Sequence, residues 1–476
     1  MVRRALAVAT LSALLAACAV GPDYVKPGLP DVEVFARQDA ANDAAIAQPE
    51  VQFWHAFGDP LLERLVDAAL THNHDLRMAL ANVERTGALL RGARYERLPT
   101  IAASAGASDT RGSASQMPGA AREHRDGDAY RAGFGASWEL DFFGRIRRSV
   151  EARRAETFAS AADMAAMQVA VVGELLQNYV QLRGWQEQLR IARENAQTQE
   201  RTLQLLQLRL DAGMATSFDV DRGRTQLETT QSRIPAIESQ IAVVTHRIAV
   251  LTGATPEALI AELETPADLP RLPLAIPVDA PGDLLRRRPD VAAAERRLAA
   301  STARIGIATA DLFPRFTLGG LIGTQALHVG ELFERDSETR LLSFGFDGAF
   351  LDVGRVRARI AAADAAAQGD LASWERTVLM ALEETENALA RLSRSSVERE
   401  HLQRAAEAGA RGAGEARLRF EHGAIDVLDL LEAERARLAA EYAYAQSRVR
   451  HALAAVGLYQ ALAGGWPEYT PVVSAR

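Results

Sequence analysis

The chain has 476 residues, of which 48% are hydrophobic, largely alanine and leucine, and only 6% aromatic. That length holds two or three ordinary domains or one long repetitive architecture, and the few aromatics favour helices packed through small side chains. A net charge of −8, with a pI near 5.7, argues against a nucleic-acid partner, because phosphate-backbone binding depends on clustered positive charge.

The first element is a short signal-like segment. Arg3 and Arg4 form a basic start, an apolar run extends from Ala5 to Leu15, and Leu15-Ala16-Ala17-Cys18 follows. The run is too short to span a bilayer and reads as a signal h-region. Its end resembles the bacterial lipobox, which implies cleavage before Cys18 and acylation of that residue. The alternative is a plain secretory signal with a chance cysteine. Cys18 is the single cysteine, so intrachain disulfides and cysteine metal clusters are excluded. Ala19 follows it in place of the aspartate that retains such lipoproteins at the inner membrane, which favours the outer membrane.

The remainder reads as two copies of one pattern. His74-Asp75 and Pro289-Asp290 open helices that end at Leu98-Pro99 and Phe313-Pro314. Leu140-Asp141-Phe142-Phe143-Gly144-Arg145 matches Leu351-Asp352-Val353-Gly354-Arg355; Arg209-Leu210-Asp211-Ala212-Gly213 matches Arg419-Phe420-Glu421-His422-Gly423; Leu251-Thr252-Gly253 matches Leu462-Ala463-Gly464. Internal repetition at this scale outranks any local motif. Boundaries follow: a signal peptide over 1–17, a lipidated segment over 18–60, a first repeat over 61–265, a proline-rich linker over 266–281, a second repeat over 282–465 and a tail over 466–476.

Each copy predicts a helix, a strand pair, a very long helix, a glycine turn and a returning helix. In the first copy the helices fall at 61–97, 145–211 and 217–252; in the second at 290–312, 355–420 and 425–462. A seam running Ala165, Val169, Val172, Leu176, Tyr179, then Leu182, Trp185, Leu189, Ala192 and Ala196 has heptad spacing. At 1.5 Å per residue the 145–211 helix is ~100 Å long and the shorter ones of the first copy ~55 Å each, so two short helices end to end match one long one. A dimeric coiled-coil rod is the simpler alternative, and the strand pairs argue against it. Pro235 should kink its helix, and Gly409, Gly412 and Gly414 should weaken theirs.

Strands are expected at 100–108, 130–140, 315–323 and 341–350, each of a length that crosses a bilayer when tilted. Phe134, Ala136, Trp138 and Leu140 share a face, as do Leu342, Phe344, Phe346 and Phe350. Four strands cannot close a barrel, and open edges are not tolerated in lipid, so the sequence predicts an oligomer that shares one barrel. Two soluble hairpins are the alternative.

Taken together, Cys18-Ala19-Val20-Gly21-Pro22-Asp23-Tyr24, Trp54-His55-Ala56-Phe57-Gly58-Asp59-Pro60, Arg288-Pro289-Asp290-Val291 and the duplicated tips resemble the outer-membrane factor family of TolC- and OprM-like channels. The likeness is strongest to its lipoprotein branch, the NodT-like outer-membrane channels of resistance–nodulation–division (RND) efflux systems. It implies a mainly α fold with membrane β: a homotrimer with a twelve-stranded shared barrel and a long periplasmic α-helical barrel. It also implies docking onto a periplasmic adaptor and an inner-membrane RND pump, with passive conduction of small molecules; an outer-membrane duct for ATP-driven secretion is the alternative. The family's constriction positions fall on Leu428, Asp429 and Glu432, with Arg222 a candidate latch that pairs with an acidic residue. Arg209, Gly213, Arg419 and Gly423 mark adaptor-docking tips.

No phosphate-binding glycine loop with lysine appears, Lys26 being the sole lysine. No catalytic constellation has motif support, no cofactor is implied, and the His55, His72 and His74 group is a weak metal pattern. The reading is a channel and not an enzyme.

Overall fold

The computed structural model describes residues 19–37, 52–273, 276, 278 and 280–462. Cys18, the 1–17 segment, Ala463-Gly464 and the 466–476 tail lie outside the described residues.

A 3-10 turn at Phe53–Phe57 precedes α1 (Pro60–His72) and α2 (His74–Tyr95). Strands β1 (Thr100–Arg111) and β2 (Asp126–Leu140) lead into α3 (Arg145–Asp211), α4 (Ser217–Gln231) and α5 (Arg233–Leu251). Short α6 (Ile260–Leu263) and α7 (Pro281–Arg287) precede α8 (Pro289–Ala310), β3 (Arg315–Ala326), β4 (Glu338–Asp347), α9 (Val353–Glu421) and α10 (Val427–Ala461).

The long helices are where the seam puts them, at 67 and 69 residues, which is ~100 Å each. Three expectations need correction. The 61–97 helix is two helices, because Asn73 accepts from the backbone N–H of Asp75 at 2.8 Å and of Leu76 at 3.1 Å, starting a new helix there. The last strand ends at Asp347, so Phe350 lies beyond it; its partner strand begins at Arg315, and Pro314 before it has no N–H to extend the ladder. Helix α9 runs unbroken through Gly409, Gly412 and Gly414; at Gly409 a Cβ would stand 3.2 Å from the Arg437 Cα, so the small residue lets α10 come close. Pro235 acts as expected: α4 and α5 meet at Ser232, whose φ of −62° and ψ of −21° stay helical, which makes the break a kink.

The sheet order is β1-β2-β3-β4, all antiparallel. Below it the helices stand in the same order, α2-α3-α8-α9, and farther down the order is α4/α5-α3-α10-α9. The short helices stack end to end as the lengths require. At one junction Asn73 starts α2 and donates to the Leu251 carbonyl that ends α5, at 2.9 Å. At the other, buried Arg288 precedes α8 and donates to the Ala461 carbonyl that ends α10, also at 2.9 Å. The protomer is therefore a strip one helix thick, with β1, α2 and α4/α5 along one edge and β4 and α9 along the other.

One face of the strip carries an outer layer at mid-height: the Phe53–Phe57 turn, α1, α6 and α7. Its core is aromatic and aliphatic, with Phe53 stacked 4.7 Å from Tyr459 and with Leu175, Leu176 and Tyr179 of α3 fully buried. Tyr179 donates to Asp59 and accepts from Arg183 at 3.0 Å, and burial together with Asp59 raises its hydroxyl pKa well above the usual range. Residues 19–37 form a strap along α8 and α9.

Candidate functional site

Cross-strand register sorts the sheet into two faces. Leu140, Phe316 and Phe346 stand side by side, as do Trp138, Leu318 and Phe344, and Phe134 and Ile322; with Ile101 and Leu342 they make a largely apolar face, on which Arg340 stands beside Ile322. The other face is small and polar: Ser104, Gly106, Gly133, Gly135, Ser137, Glu139, Thr317, Gly319, Gly323, Ser343 and Gly345, with Leu321 and Leu341 as exceptions. Apolar-out and polar-in is the pattern of a membrane barrel wall. Gly133 and Gly323 sit opposite one another, and a Cβ on either would fall within 3.0 Å of the other's Cα, so the close approach of β2 and β3 here depends on glycine. At the helix end of the strands the rings gather, Phe143 stacked on Phe313 at 4.5 Å and Phe142 edge-on to Phe316 at 5.3 Å, as interfacial aromatics do. Strands β1 and β4 each have one unpaired side among the described residues.

At the opposite end of the strip, two turns close the long helices in the same way. Gly213 has φ +73° and Gly423 φ +71°, the left-handed backbone that glycine accepts without a Cβ penalty. Met214 N donates to the Arg209 carbonyl at 2.7 Å, and Ala424 N to the Arg419 carbonyl at 2.8 Å. The next helices are capped by Thr216 with Asp219, and by Asp426 through the Asp429 N–H at 3.0 Å. Bonds from the Thr216 hydroxyl and N–H hold the Asp219 carboxyl below its usual pKa.

The arginines of the two turns differ in their partners. Arg209 donates to the Phe420 carbonyl at 2.9 Å and lies 3.9 Å from the centre of the Phe420 ring, locking one turn to the other. Arg419 pairs with Glu415 on its own helix. Of the expected constriction residues, Leu428 is half-buried while Asp429 and Glu432 are exposed. Arg222 lies on the Phe218 ring at 5.5 Å and lines the same α4–α10 groove as Glu432.

The histidines do not converge: His55 contacts Gln52 and Glu63, His72 the Ala68 carbonyl and His74 Arg77. Among the described residues no group of three or more histidine, cysteine, aspartate or glutamate side chains is arranged to hold a metal.

Sequence reasoning missed several buried polar contacts. Arg148 is buried and holds the strap through the Val20 carbonyl at 3.2 Å, the Gly21 carbonyl at 3.3 Å and Asp23 at 2.7 Å. Tyr24 bonds Glu295, and burial with that carboxylate raises its hydroxyl pKa well above the usual range. Ala19, the first described residue, packs on Gly144, where β2 passes into α3. Near the tip, buried Glu434 pairs with Arg417 at 2.7 Å and ties α9 to α10. Only the match of Asp23-Tyr24 to a family motif hinted at the first of these.

Residues 65–254 and 280–464 match the family described as outer membrane efflux protein. Nodulation protein T of Rhizobium leguminosarum bv. trifolii is 29% identical, over 98% of this chain and 97% of its own length. The pyoverdine export outer membrane protein OpmQ of Pseudomonas putida is 30% identical, over 91% of this chain and 92% of its own. Among solved structures, the outer-membrane channel OprN superposes with a TM-score of 0.88 at 39% identity, covering 94% of this chain and all of the other. The chain belongs to the outer membrane efflux protein family, and its place is the bacterial outer membrane, with the helical part reaching into the periplasm.

Proposed function

We propose that three copies of this chain form the exit duct of a tripartite efflux system. The observation that carries the proposal is the strip itself: sheet and helix layer run in one order and share the same two free edges. Three four-stranded sheets close a twelve-stranded barrel, in which every edge finds a partner. The helices beneath then close into a tube, built in each chain from two repeats over 61–265 and 282–465 joined by the 266–281 linker.

Cys18 carries the lipid that fastens the segment over 18–60 to the outer membrane, after removal of 1–17. The packing of Ala19, the first described residue, on Gly144 at the strand–helix junction supports this. At the far end Leu428, Asp429 and Glu432 converge around the axis: leucines close a pore by dewetting and carboxylates favour cations. Arg222 latches the closed state by reaching an acidic residue across the groove. The turns bearing Arg209, Gly213, Arg419 and Gly423 dock a periplasmic adaptor, which couples the duct to an inner-membrane RND pump.

Cargo is small molecules such as drugs or toxic compounds, in keeping with relatives named for pyoverdine export and toluene efflux. The duct conducts passively and catalyses nothing. Purified protein in planar lipid bilayers should give discrete trimeric pores, and deleting the gene should sensitise cells to small toxic compounds. A protein that stays monomeric in lipid and never conducts overturns the proposal.

A further inference from the structure

A recess of about 1130 Å³ lies where α8 stacks on α10, between α3 and α9. It opens on the bare face of the strip. On α9, Asn387, Arg391 and Arg394 reach it, while Glu386 on the other side of the helix holds the strap through the N–H groups of Ala36 and Arg37. On α3, Gln177 and Gln181 reach it, while Leu175 and Tyr179 turn into the core beneath the outer layer. In a duct the layered face must be outward, since the layer would otherwise fill the bore. The recess is then a hollow in the lumen wall, a step that rests on the proposed function.

Its charges do not cancel. Arg450 pairs with Glu398 at 2.6 Å, and Arg288 is held by Asp290 and Glu384, each at 2.7 Å. Arg391 and Arg394 have no ion-pair partner among the described residues. They stand one helical turn apart on one face of α9, close enough for both guanidinium groups to meet one anion. Between them and the α10 side the floor is Leu453, Ala454 and Gly457, apolar and shallow. At about 1130 Å³ the recess is slightly larger than the roughly 300–1,000 Å³ of pockets that hold drug-sized molecules, so one has room to lie in it.

We propose that this recess is a resting site for amphiphilic anions in transit: molecules with an apolar or aromatic body and a carboxylate or sulfonate. The anion meets Arg391 and Arg394, and the body lies over Leu453 and Ala454. The site stays open on the bore side, so the ligand leaves as readily as conduction requires.

The test uses the full-length protein in detergent with two dyes of similar shape, anionic fluorescein and cationic rhodamine 6G, read by fluorescence anisotropy. Fluorescein should bind saturably and weaken with salt. Binding should fall at least about tenfold in R391A/R394A and recover in part in R391K/R394K; rhodamine 6G should not compete. Equal fluorescein affinity in wild type and R391A/R394A overturns the site, as does equal binding of rhodamine 6G. Bilayer conductance of the wild type is measured in parallel. Pores without arginine-dependent binding sink the site and leave the duct; arginine-dependent binding without pores sinks the duct and with it the transit role.

Discussion

Helices α3 and α9 have nearly the same length, 67 and 69 residues, and opposite surroundings. Helix α3 has buried side chains spread from Ile146 to Leu206 and touches α1, α2, α4, α5, α8 and α10. Its glycines admit neighbours closely: a Cβ on Gly184 would strike the Val449 side chain, and one on Gly173 the Gln460 side chain. Helix α9 packs chiefly on α8 and α10, and it leaves Leu379 and Val397 on the surface, 62% and 47% exposed. One is an interior stave and the other an edge stave. The opposite edge also exposes apolar side chains, with Met78 at 64% on α2 and Val243 at 57% on α5. Apolar rows on both flanks of one wall are surfaces that need a partner, and the same two flanks carry the unpaired strands.

A pair of substitutions should separate the staves. Leu176 on α3 is fully buried, so Leu176→Ala should cost about 2–5 kcal/mol of protomer stability, seen as a lowered unfolding midpoint. Leu379→Asp should leave helical content intact and dissociate the assembly, seen as a shift from trimer to monomer in light scattering coupled to size exclusion. An L379D protein that remains a trimer of unchanged stability would remove α9 from the interface.

Much of this contrast was readable in the sequence, for a physical reason. The seam from Ala165 to Ala196 needs only periodicity, and every seam position is buried or half-buried. Alternation gave the faces of the sheet, because register flips every side chain at once. What stayed hidden depends on partners remote in the chain. Arg148 looks like a solvated surface residue, and Arg288 shows only as part of a motif, until the Gly21 and Ala461 carbonyls arrive. The repeat marked a helix start at His74-Asp75, but the 61–97 span ran across it, and the Asn73 cap is what ends one helix and begins the next. The end of β4 was set by Pro314, just before the neighbouring strand, which the alternation of residues 341–350 could not report.

The second test concerns the tips of the two staves. Arg209 of α3 grips the α9 turn, whereas the first helix after the α3 turn offers Arg222 to a groove shared with Glu432. If that arginine holds the two hairpins together, Arg222→Glu should set like charges facing across the groove and loosen the closed tip. Single-channel conductance in bilayers should rise by roughly twofold or more. Unchanged conductance would make Arg222 a bystander stacked on Phe218.

The smallest expected effect lies where the edge stave is fastened. His451 of α10 meets the Ser395 hydroxyl of α9 at 2.9 Å, half-buried, and burial, with Arg399 close by, lowers its pKa from the ordinary 6.5. The folded protein thus keeps this ring neutral at a pH where the unfolded chain has begun to bind a proton. The sign follows: the contact is worth its full amount above about pH 6.5 and loses value as pH falls from there toward the lowered folded pKa. That loss falls on the α9–α10 contact, so it should loosen the edge and leave α3 untouched. Unfolding midpoints compared at about pH 7.5 and about pH 5 should drop further for the wild type than for His451→Gln, which keeps a hydrogen-bonding side chain but cannot take the proton. Equal drops in both proteins would show that acid acts on some other group and that α9 owes nothing to this ring's neutrality.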